Sequence, residues 1–404
     1  MVSFITVVAA LSVSRDQVVA FRLAAHHLID RLPPDRLVEA AAPVGVQDSR
    51  VESAALALAA QVEGVDAGTV ATARSETRTL LTFVSDARRP YLLPVADAAA
   101  FTAGAVPTDR ESFATFLGGW AEPIADAELS PFDLLDQMAK VATTVLDGRI
   151  LPVDDLRHAI YDRVPALHRV RRPASMRADM PESLFRALGL TGTVCITAGE
   201  GITAMNGRTD QWLGSALPSM APDTARAELV RRFLHAYGPS TPAAFAVWTN
   251  RSPADAREAF APVAGELAEV DAGGTSAWLL ATDEPTLRSP PLPAALRLLP
   301  PLDPFLNQRD RATLVPDAAH RQQVWRPVGP PGVVMAGRRV AATWRGQKRG
   351  RTLEITVDGL GALSGQVRAN VVKEADRMAP ARGCTGAAVS FALGWWAGPP
   401  DCGG

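Results

Sequence analysis

The feature that most constrains the fold is an order of elements that occurs three times along the chain. Each time, three short helical patterns precede two strand-like segments that flank a turn. The clearest example has helical patterns over 224–237, 241–248 and 252–263 and strand patterns over 266–270 and 275–281. Three helices followed by a hairpin is the order of a winged helix, so the sequence predicts three of them in tandem. Three unrelated helical subdomains are the alternative.

The other two examples begin at recognisable helix starts. Ser14 and Gln17 form a capping-box pair, and Pro131 follows Ser130 at a first helical position. The remaining predicted elements are helices over 14–30, 34–41, 52–62, 130–146, 152–163 and 181–188, a hairpin within 78–94, and strands over 192–198 and 202–206.

The character of the sequence changes after residue 288, where prolines punctuate a linker over 290–301. Segments 332–344 and 351–357 then alternate as strands around a basic turn at 345–350, which predicts a small β-barrel or sheet. We therefore expect an α+β protein with three winged helices and a C-terminal β-barrel. The expected domains are 1–125, which holds the candidate site, then 126–220, 221–288 and 289–404.

The net charge of −2 gives no general attraction to polyanions, so any nucleic-acid contact must come from local clusters of cations. Two arginine-rich clusters lie within 163–177 and 338–351. Lysine occurs only at Lys140, Lys348 and Lys373, so arginine is the default cation of this chain. One cluster alone therefore does not establish nucleic-acid binding.

The sequence also limits location and cofactors. It has no apolar run of membrane-spanning length, and its start lacks the basic segment and cleavage site of a signal peptide, so we expect a cytoplasmic protein without membrane contact. Its cysteines and histidines show no metal-site spacing, and no phosphate-binding glycine loop occurs. We expect neither metal nor cofactor.

Gln47, Asp48 and Ser49 form a polar triplet between two apolar segments, 40–46 and 53–62. Buried polar side chains need partners, so such a triplet is either a satisfied turn before a helix or a functional site. In an extended strand, the period of two would place Gln47 and Ser49 on one face and Asp48 on the other.

Four features together resemble the AlkZ/YcaQ type of bacterial DNA glycosylase, a winged-helix superfamily. They are the triple helix–hairpin order and the phrases YGPSTPAAFAVW at 237–248, LLPPLDPFLNQRDRATLV at 298–315 and VVMAGRRVAATWRGQKRGRTLEI at 333–355. The resemblance runs from about residue 14 to about residue 360.

The resemblance implies a C-shaped protein that binds duplex DNA in a concave channel. It also implies cleavage of the N-glycosidic bond of bulky alkylated purines of the N7-guanine type, in repair or in self-resistance to a DNA-alkylating natural product. The family motif of glutamine, an apolar residue and glutamine precedes an SAALAL-like helix, which aligns Gln47 and Ser49 with the two glutamines and Asp48 with the apolar position. Tyr91 stands where a GTLHLVP-like strand often has histidine, and is our candidate lesion-pocket residue.

The motif suggests specific roles. Gln47 can hold a water through its amide, whereas Asp48 acts as base or electrostatic stabiliser only if the backbone is kinked, and otherwise braces the fold. A lyase reaction needs an amine nucleophile, and no lysine lies near the motif, so we expect a monofunctional enzyme. The site prediction is Gln47, Asp48 and Ser49.

The predicted partner is double-stranded DNA carrying bulky adducts, bound by a monomer associated with the nucleoid. The predicted phosphate contacts are Arg169, Arg171, Arg172, Arg345, Lys348 and Arg349. Segment 303–311 is interpreted as a structural ion-pair corner between the barrel and the third winged helix. The alternative function is a non-catalytic winged-helix DNA-binding protein or transcriptional regulator.

Overall fold

A computed structural model of the protein describes residues 11–49, 53–84, 89–171, 182–199, 203–293 and 295–392. Within these ranges helices and strands mix along the chain, as expected for the α+β class. None of the helices described there combines the length and apolar character needed to cross a bilayer.

The first repeat contains the predicted helices and hairpin, together with a helix that the sequence pattern did not predict. The capping box at Ser14 and Gln17 is present, and the backbone nitrogen of Gln17 donates to the Ser14 hydroxyl at 3.3 Å. The elements are β1 (Leu11–Val13), α1 (Arg15–Ala25), α2 (Leu37–Ala41), β2 (Val46–Gln47), α3 (Ser53–Gln61), the unpredicted α4 (Ala67–Ser75), β3 (Leu80–Val84) and β4 (Pro90–Pro94).

The second repeat follows a helical connection that the sequence pattern also did not predict, formed by α5 (Ala98–Phe101), α6 (Arg110–Leu117) and α7 (Ala121–Asp126). Ser130 caps the next helix by accepting from the backbone nitrogen of Asp133. The repeat consists of α8 (Pro131–Val145), β5 (Leu151–Pro152), α9 (Val153–Arg163), α10 (Glu182–Ala187), β6 (Val194–Ala198), β7 (Met205–Arg208) and α11 (Thr209–Leu213).

The third repeat matches its predicted order closely. Thr241 and Ser252 cap their helices through the backbone nitrogens of residues 244 and 255, as expected for hydroxyl side chains before a helical proline. Its elements are α12 (Pro222–Tyr237), α13 (Pro242–Thr249), α14 (Pro253–Phe260), β8 (Leu267–Ala272), β9 (Ser276–Leu280) and α15 (Glu284–Arg288).

The hairpins of the repeats join larger sheets. β3 pairs with β6 at Thr82 and Ile196, so the first two hairpins belong to one six-stranded sheet in the order β2-β4-β3-β6-β7-β5. The third hairpin forms a three-stranded sheet in which β1 runs parallel to β8. The repeats are therefore linked through their strands as well as through their chain connections.

The C-terminal part is an open five-stranded sheet in the described residues, so the prediction of a β-barrel is wrong. The elements are β10 (Leu296–Leu299), α16 (Arg311–Leu314), α17 (Ala318–Val324), β11 (Gly332–Ala336), β12 (Arg339–Arg349), β13 (Thr352–Gly359), α18 (Gly365–Met378) and β14 (Gly386–Phe391). α18 is a crossover that returns the chain parallel to β13. β14 and β10 therefore lie at opposite edges and do not pair to close the sheet.

The predicted basic turn also differs in form. Residues 345–349 continue β12 and pair with β13, so the reversal of direction falls at Gly350 and Arg351. The strand is longer than its apolar alternation indicated because its exposed end carries only polar side chains and glycine. These cations consequently project from a strand rather than from a flexible loop.

Arg22 on α1 joins three distant segments in the interior, where its side chain is 1% exposed. Its guanidinium donates to the carbonyl oxygens of Gly238 and Pro239 at 3.1 and 3.0 Å and to Gln308 Oε1 at 2.7 Å. It also pairs with Asp310 at 2.9 Å. One buried cation thus fixes α1, the turn after α12 and the segment after β10 relative to one another.

We expect Arg22→Met to lower the free energy of unfolding by about 3–5 kcal/mol, because the variant leaves buried acceptors without a donor. Urea denaturation followed by circular dichroism measures this. Arg288→Met is the matched control, because Arg288 makes an exposed ion pair with Glu284, and its effect should stay within about 0.5 kcal/mol. Equal stability of Arg22→Met and the wild type would contradict this role.

Candidate active site

The short strand β2 places the polar triplet beside β4. Val46 lies opposite Leu92 and Gln47 opposite Tyr91, and the backbone nitrogen of Asp48 donates to the carbonyl of Pro90 at 2.9 Å. Extended backbone alternates its side chains, so Gln47 and Asp48 face opposite sides. The structure therefore brings Gln47 and Tyr91 together.

Gly45 permits this close approach of the two strands. Its φ is +70°, and a Cβ atom there would lie 2.4 Å from Leu93 Cδ2 and 3.4 Å from the Leu92 carbonyl oxygen. A larger residue would combine a disfavoured backbone conformation with a steric clash. The glycine before the triplet thus determines where Gln47 sits.

Gln47 is largely buried, with 6% of its surface exposed, and its side chain borders a polar cleft in the described part of the structure. Its Nε2 donates to Ser49 Oγ at 2.8 Å, and its backbone oxygen accepts from Ser53 Oγ at 3.0 Å at the start of α3. Ser49 therefore orients the amide of Gln47, and Ser53 anchors its backbone.

Asp48 has a different environment. Its Oδ2 lies 3.0 Å from Arg74 on α4 and accepts from Thr82 Oγ1 on β3 at 3.1 Å. Burial raises the pKa of Asp48, and Arg74 and Thr82 partly oppose that shift. Asp48 does not border the cleft. These contacts favour the alternative in which Asp48 braces the fold.

The cleft has a volume of about 500 Å³, which is within the usual range for small-molecule sites. Tyr91 lies in its wall, and its hydroxyl accepts from Asn307 Nδ2 at 3.1 Å. The described residues that line the cleft are Gln47, Arg89, Tyr91, Val247, Trp248, Asn250, Leu302, Asp303, Leu306, Asn307, Arg309, Arg311, Val324, Trp325, Arg326, Pro327, Pro330 and Pro331.

Four arginines of this cleft share one property: they form no ion pair with the described carboxylates. They are Arg89, Arg309, Arg311 and Arg326. The guanidinium of Arg311 lies 5.1 Å from the centre of the Trp325 ring, and that indole donates from Nε1 to the Leu306 carbonyl at 3.0 Å. Many other arginines of the chain pair with carboxylates, so this cleft concentrates uncompensated positive charge.

The predicted phosphate contacts lie elsewhere. Arg169 donates to the Ala127 carbonyl at 2.6 Å and Arg171 is exposed, while Arg172 lies outside the described residues. Arg349 pairs with Glu354 at 2.8 Å and Lys348 is exposed. None of the described members borders the cleft, so their contact with DNA stays a prediction.

Arg345 is linked to the cleft indirectly. Its NH2 group donates to the Gly329 carbonyl at 2.8 Å, and Gly329 belongs to the loop 326–331 that forms one side of the cleft. This contact gives Arg345 a role in holding that loop.

The cleft contains residues that the sequence analysis did not assign to a site, chiefly Asp303, Asn307, Arg309, Arg311 and Trp325. All come from the segment after β10, part of which was interpreted as an ion-pair corner. Asp310 of that segment does form an ion pair, but its partner is Arg22 on α1 of the first repeat rather than a residue of the third repeat. The detectable indication was the high density of polar and charged residues in LDPFLNQRDR.

A basic cleft with two indole rings and oriented amides, on a scaffold of helix–hairpin units, is typical of proteins that bind nucleic acids. Comparison with known families gives a more specific result. The model of the DNA glycosylase AlkZ-like family matches residues 40–381, and the chain belongs to that family.

Two further comparisons, one of structure and one of sequence, are consistent with this assignment. The fold is similar to that of Streptomyces sahachiroi DNA glycosylase AlkZ, with a TM-score of 0.74, 23% sequence identity and coverage of 95% of this chain and 100% of that one. A Streptomyces sahachiroi protein named interstrand DNA cross-link repair glycosylase is 27% identical over 241 residues, which are 56% of this chain and 62% of the relative. That match therefore spans less than two thirds of the relative's length.

We expect Asp48→Ala to reduce the free energy of unfolding by about 3–5 kcal/mol, because it leaves Arg74 unpaired in a largely buried position. Thr82→Val, which removes one hydrogen bond to the same carboxylate, should cost about 1 kcal/mol. Denaturant titrations measure both. A fully stable Asp48→Ala would contradict the bracing role.

Proposed function

We propose that the protein is a monofunctional DNA glycosylase that hydrolyses the N-glycosidic bond of bulky N7-alkylated guanines in duplex DNA. The observation that carries this proposal is the presence of Gln47 and Tyr91 in one cleft with four arginines that lack carboxylate partners among the described residues. Family membership supplies the reaction class, and the cleft supplies groups that suit such a substrate.

The size and lining of the cleft favour a nucleobase with a large substituent. A volume of about 500 Å³ exceeds what a single unmodified base requires. Trp325, which is partly exposed in the cleft wall, offers an aromatic surface against which a base can stack, an interaction worth about 1–3 kcal/mol by alanine substitution. The arginines are suited to phosphates on either side of the lesion.

The chemistry requires little acid assistance. An N7-alkylated guanine already carries positive charge, so it leaves as a neutral base when the bond to the sugar breaks. The enzyme must then stabilise the developing cation at the sugar and position a water. Gln47 can bind that water through its amide, whose orientation Ser49 sets at 2.8 Å.

The absence of lysine among the described cleft residues favours hydrolysis without a Schiff base. We infer that the protein acts as a monomer on DNA in the cytoplasm, in repair or in self-resistance to an alkylating natural product. The cross-link activity in the name of the Streptomyces sahachiroi relative places a cross-linked guanine among the substrates to test first.

The direct test of function is incubation of the purified protein with duplex DNA carrying a panel of bulky N7-guanine adducts. Mass spectrometry should detect released adducted base, and alkali should then cleave the DNA at the abasic sites. Failure to release any base across the panel, together with tight binding to one undamaged sequence, would support a transcriptional regulator instead.

We expect Gln47→Ala to lower the single-turnover rate of base release by about 10²–10³-fold with little change in DNA affinity, because water positioning is removed while the phosphate contacts stay. Asp48→Asn is the comparison variant and should keep most of the rate per folded molecule. Full activity in Gln47→Ala would show that another residue holds the water.

The arginines allow a second measurement. The double variant Arg309→Gln, Arg311→Gln should reduce the slope of log binding constant against log salt by about 0.9 for each phosphate that the protein no longer neutralises. Arg288→Gln, which lies in an exposed ion pair, should leave the slope unchanged. If only Lys348→Gln and Arg349→Gln change the slope, DNA contacts the long hairpin of β12 and β13 rather than the cleft arginines.

A further inference from the structure

Asp303 occupies an unusual place in the cleft wall. It is 1% exposed and precedes the single helical turn Pro304–Asn307. One carboxylate oxygen, Oδ1, accepts from the backbone nitrogen of Phe305 at 3.0 Å. The same turn carries Asn307, whose amide reaches Tyr91. Asp303 therefore sits in the cleft wall at the start of the turn that carries Asn307.

The second oxygen, Oδ2, is buried and has no hydrogen-bond partner among the described residues. The cleft arginines Arg309 and Arg311 follow within a few positions, yet neither forms an ion pair with it. An unpaired buried carboxylate oxygen is costly, and such groups are retained mainly at functional sites. A second carboxylate oxygen is not needed to cap the turn, because Oδ1 alone accepts the hydrogen bond from Phe305.

Asp303 is also the only carboxylate among the described residues that line the cleft. Asp48 is sequestered by Arg74 and Thr82. Ser49, the third residue of the polar triplet, orients Gln47 but cannot act as a carboxylate base. We propose that Asp303 is a second catalytic residue of this cleft, the carboxylate that accepts a proton from the attacking water. This inference rests on the proposed glycosylase function.

The proposed reaction is hydrolysis of the glycosidic bond by one water molecule. The water oxygen forms a bond to the sugar carbon C1′ while the bond from C1′ to the base nitrogen breaks. The electron pair of that bond neutralises the cationic base, which leaves. One water proton passes to Oδ2 of Asp303 and later returns to solvent, while Gln47 holds the water in line.

The turn that bears Asp303 is held rigidly, as a catalytic carboxylate requires. Tyr237 donates its hydroxyl to the Pro304 carbonyl at 2.8 Å, and Gln308 Nε2 donates to the Phe305 carbonyl at 2.8 Å. Trp325 donates to the Leu306 carbonyl at 3.0 Å. Three consecutive backbone carbonyls thus accept hydrogen bonds from side chains. Of these side chains, Tyr237 lies on α12 and Trp325 directly follows α17.

Burial raises the pKa of Asp303 to about 7, against a weaker opposing effect of the Phe305 hydrogen bond. The ionisable groups around this turn and the cleft are Arg22 on α1, His26 directly after α1, Arg89 directly before β4, Tyr91 on β4, Tyr237 on α12, and Arg309, Arg311 and Arg326. The pKa of His26 is lowered to about 3, and burial is the main cause. His26 is therefore neutral near pH 7 and does not titrate there.

The decisive variant is Asp303→Asn, which keeps an oxygen to accept from Phe305. We expect a fall of about 10²–10⁴-fold in the single-turnover rate, the usual contribution of a positioned base, with DNA affinity equal or higher. The wild-type rate should rise with pH and level off above about 7, because the base must be ionised. The residual rate of the variant should be flat over that interval.

Stability supplies an independent readout. The pKa of Asp303 is higher in the folded than in the unfolded protein, so its contribution to stability is present at acid pH and is lost as the pH rises through about 7. From pH 5 to pH 8, wild-type stability should therefore fall relative to that of Asp303→Asn. A purely structural cap would give no change in the pH profile of catalysis.

Asp66→Asn is the matched control, because Asp66 caps α4 through the backbone nitrogen of Thr69 at an exposed position away from the cleft. Its rate and pH profile should equal those of the wild type. An active wild type with an equally active Asp303→Asn, or an unchanged pH profile, would overturn the role of Asp303. An inactive wild type on every adduct would instead overturn the proposed function.

Discussion

The arrangement of the cleft depends on the buried guanidinium of Arg22. Its four acceptors lie between 216 and 288 positions away along the chain, so one side chain ties the first helix to the third repeat and to the segment after β10. That segment carries Asp303, Asn307 and three of the four cleft arginines. Because the cation is buried and fully engaged, the segment cannot move away from α1 without leaving several polar groups unpaired.

The geometry of one two-residue strand then divides the polar triplet. Gln47 faces the cleft and Asp48 faces Arg74 because successive side chains of a strand point to opposite sides, and a slip of one residue would exchange them. Gly45 fixes the approach of this strand to β4. Asp48, for which the sequence left both a catalytic and a bracing role open, contacts Arg74 and Thr82, and the carboxylate that lines the described cleft comes from a distant turn.

Local patterns predicted the order of helices and strands in the third repeat well, because capping residues and short-range periodicity act within a few positions. They failed where tertiary packing decides the outcome. The helices α4, α5, α6 and α7 were missed because short helices are stabilised mainly by what they pack against. The supposed barrel is an open sheet because α18, a helix with an exposed face and a packed face, returns the chain in the parallel direction.

The sequence alone determined the order of elements, the resemblance to a glycosylase family and the alternation that separates Gln47 from Asp48, since all three depend on neighbours in the chain. Only the tertiary structure decided which groups share the cleft with Gln47. Asn307 meets Tyr91 across 216 positions, and Arg89 joins three arginines and Asp303 that come from the distant segment after β10. Such contacts depend on how elements pack around a common core, and no spacing within the sequence records that packing.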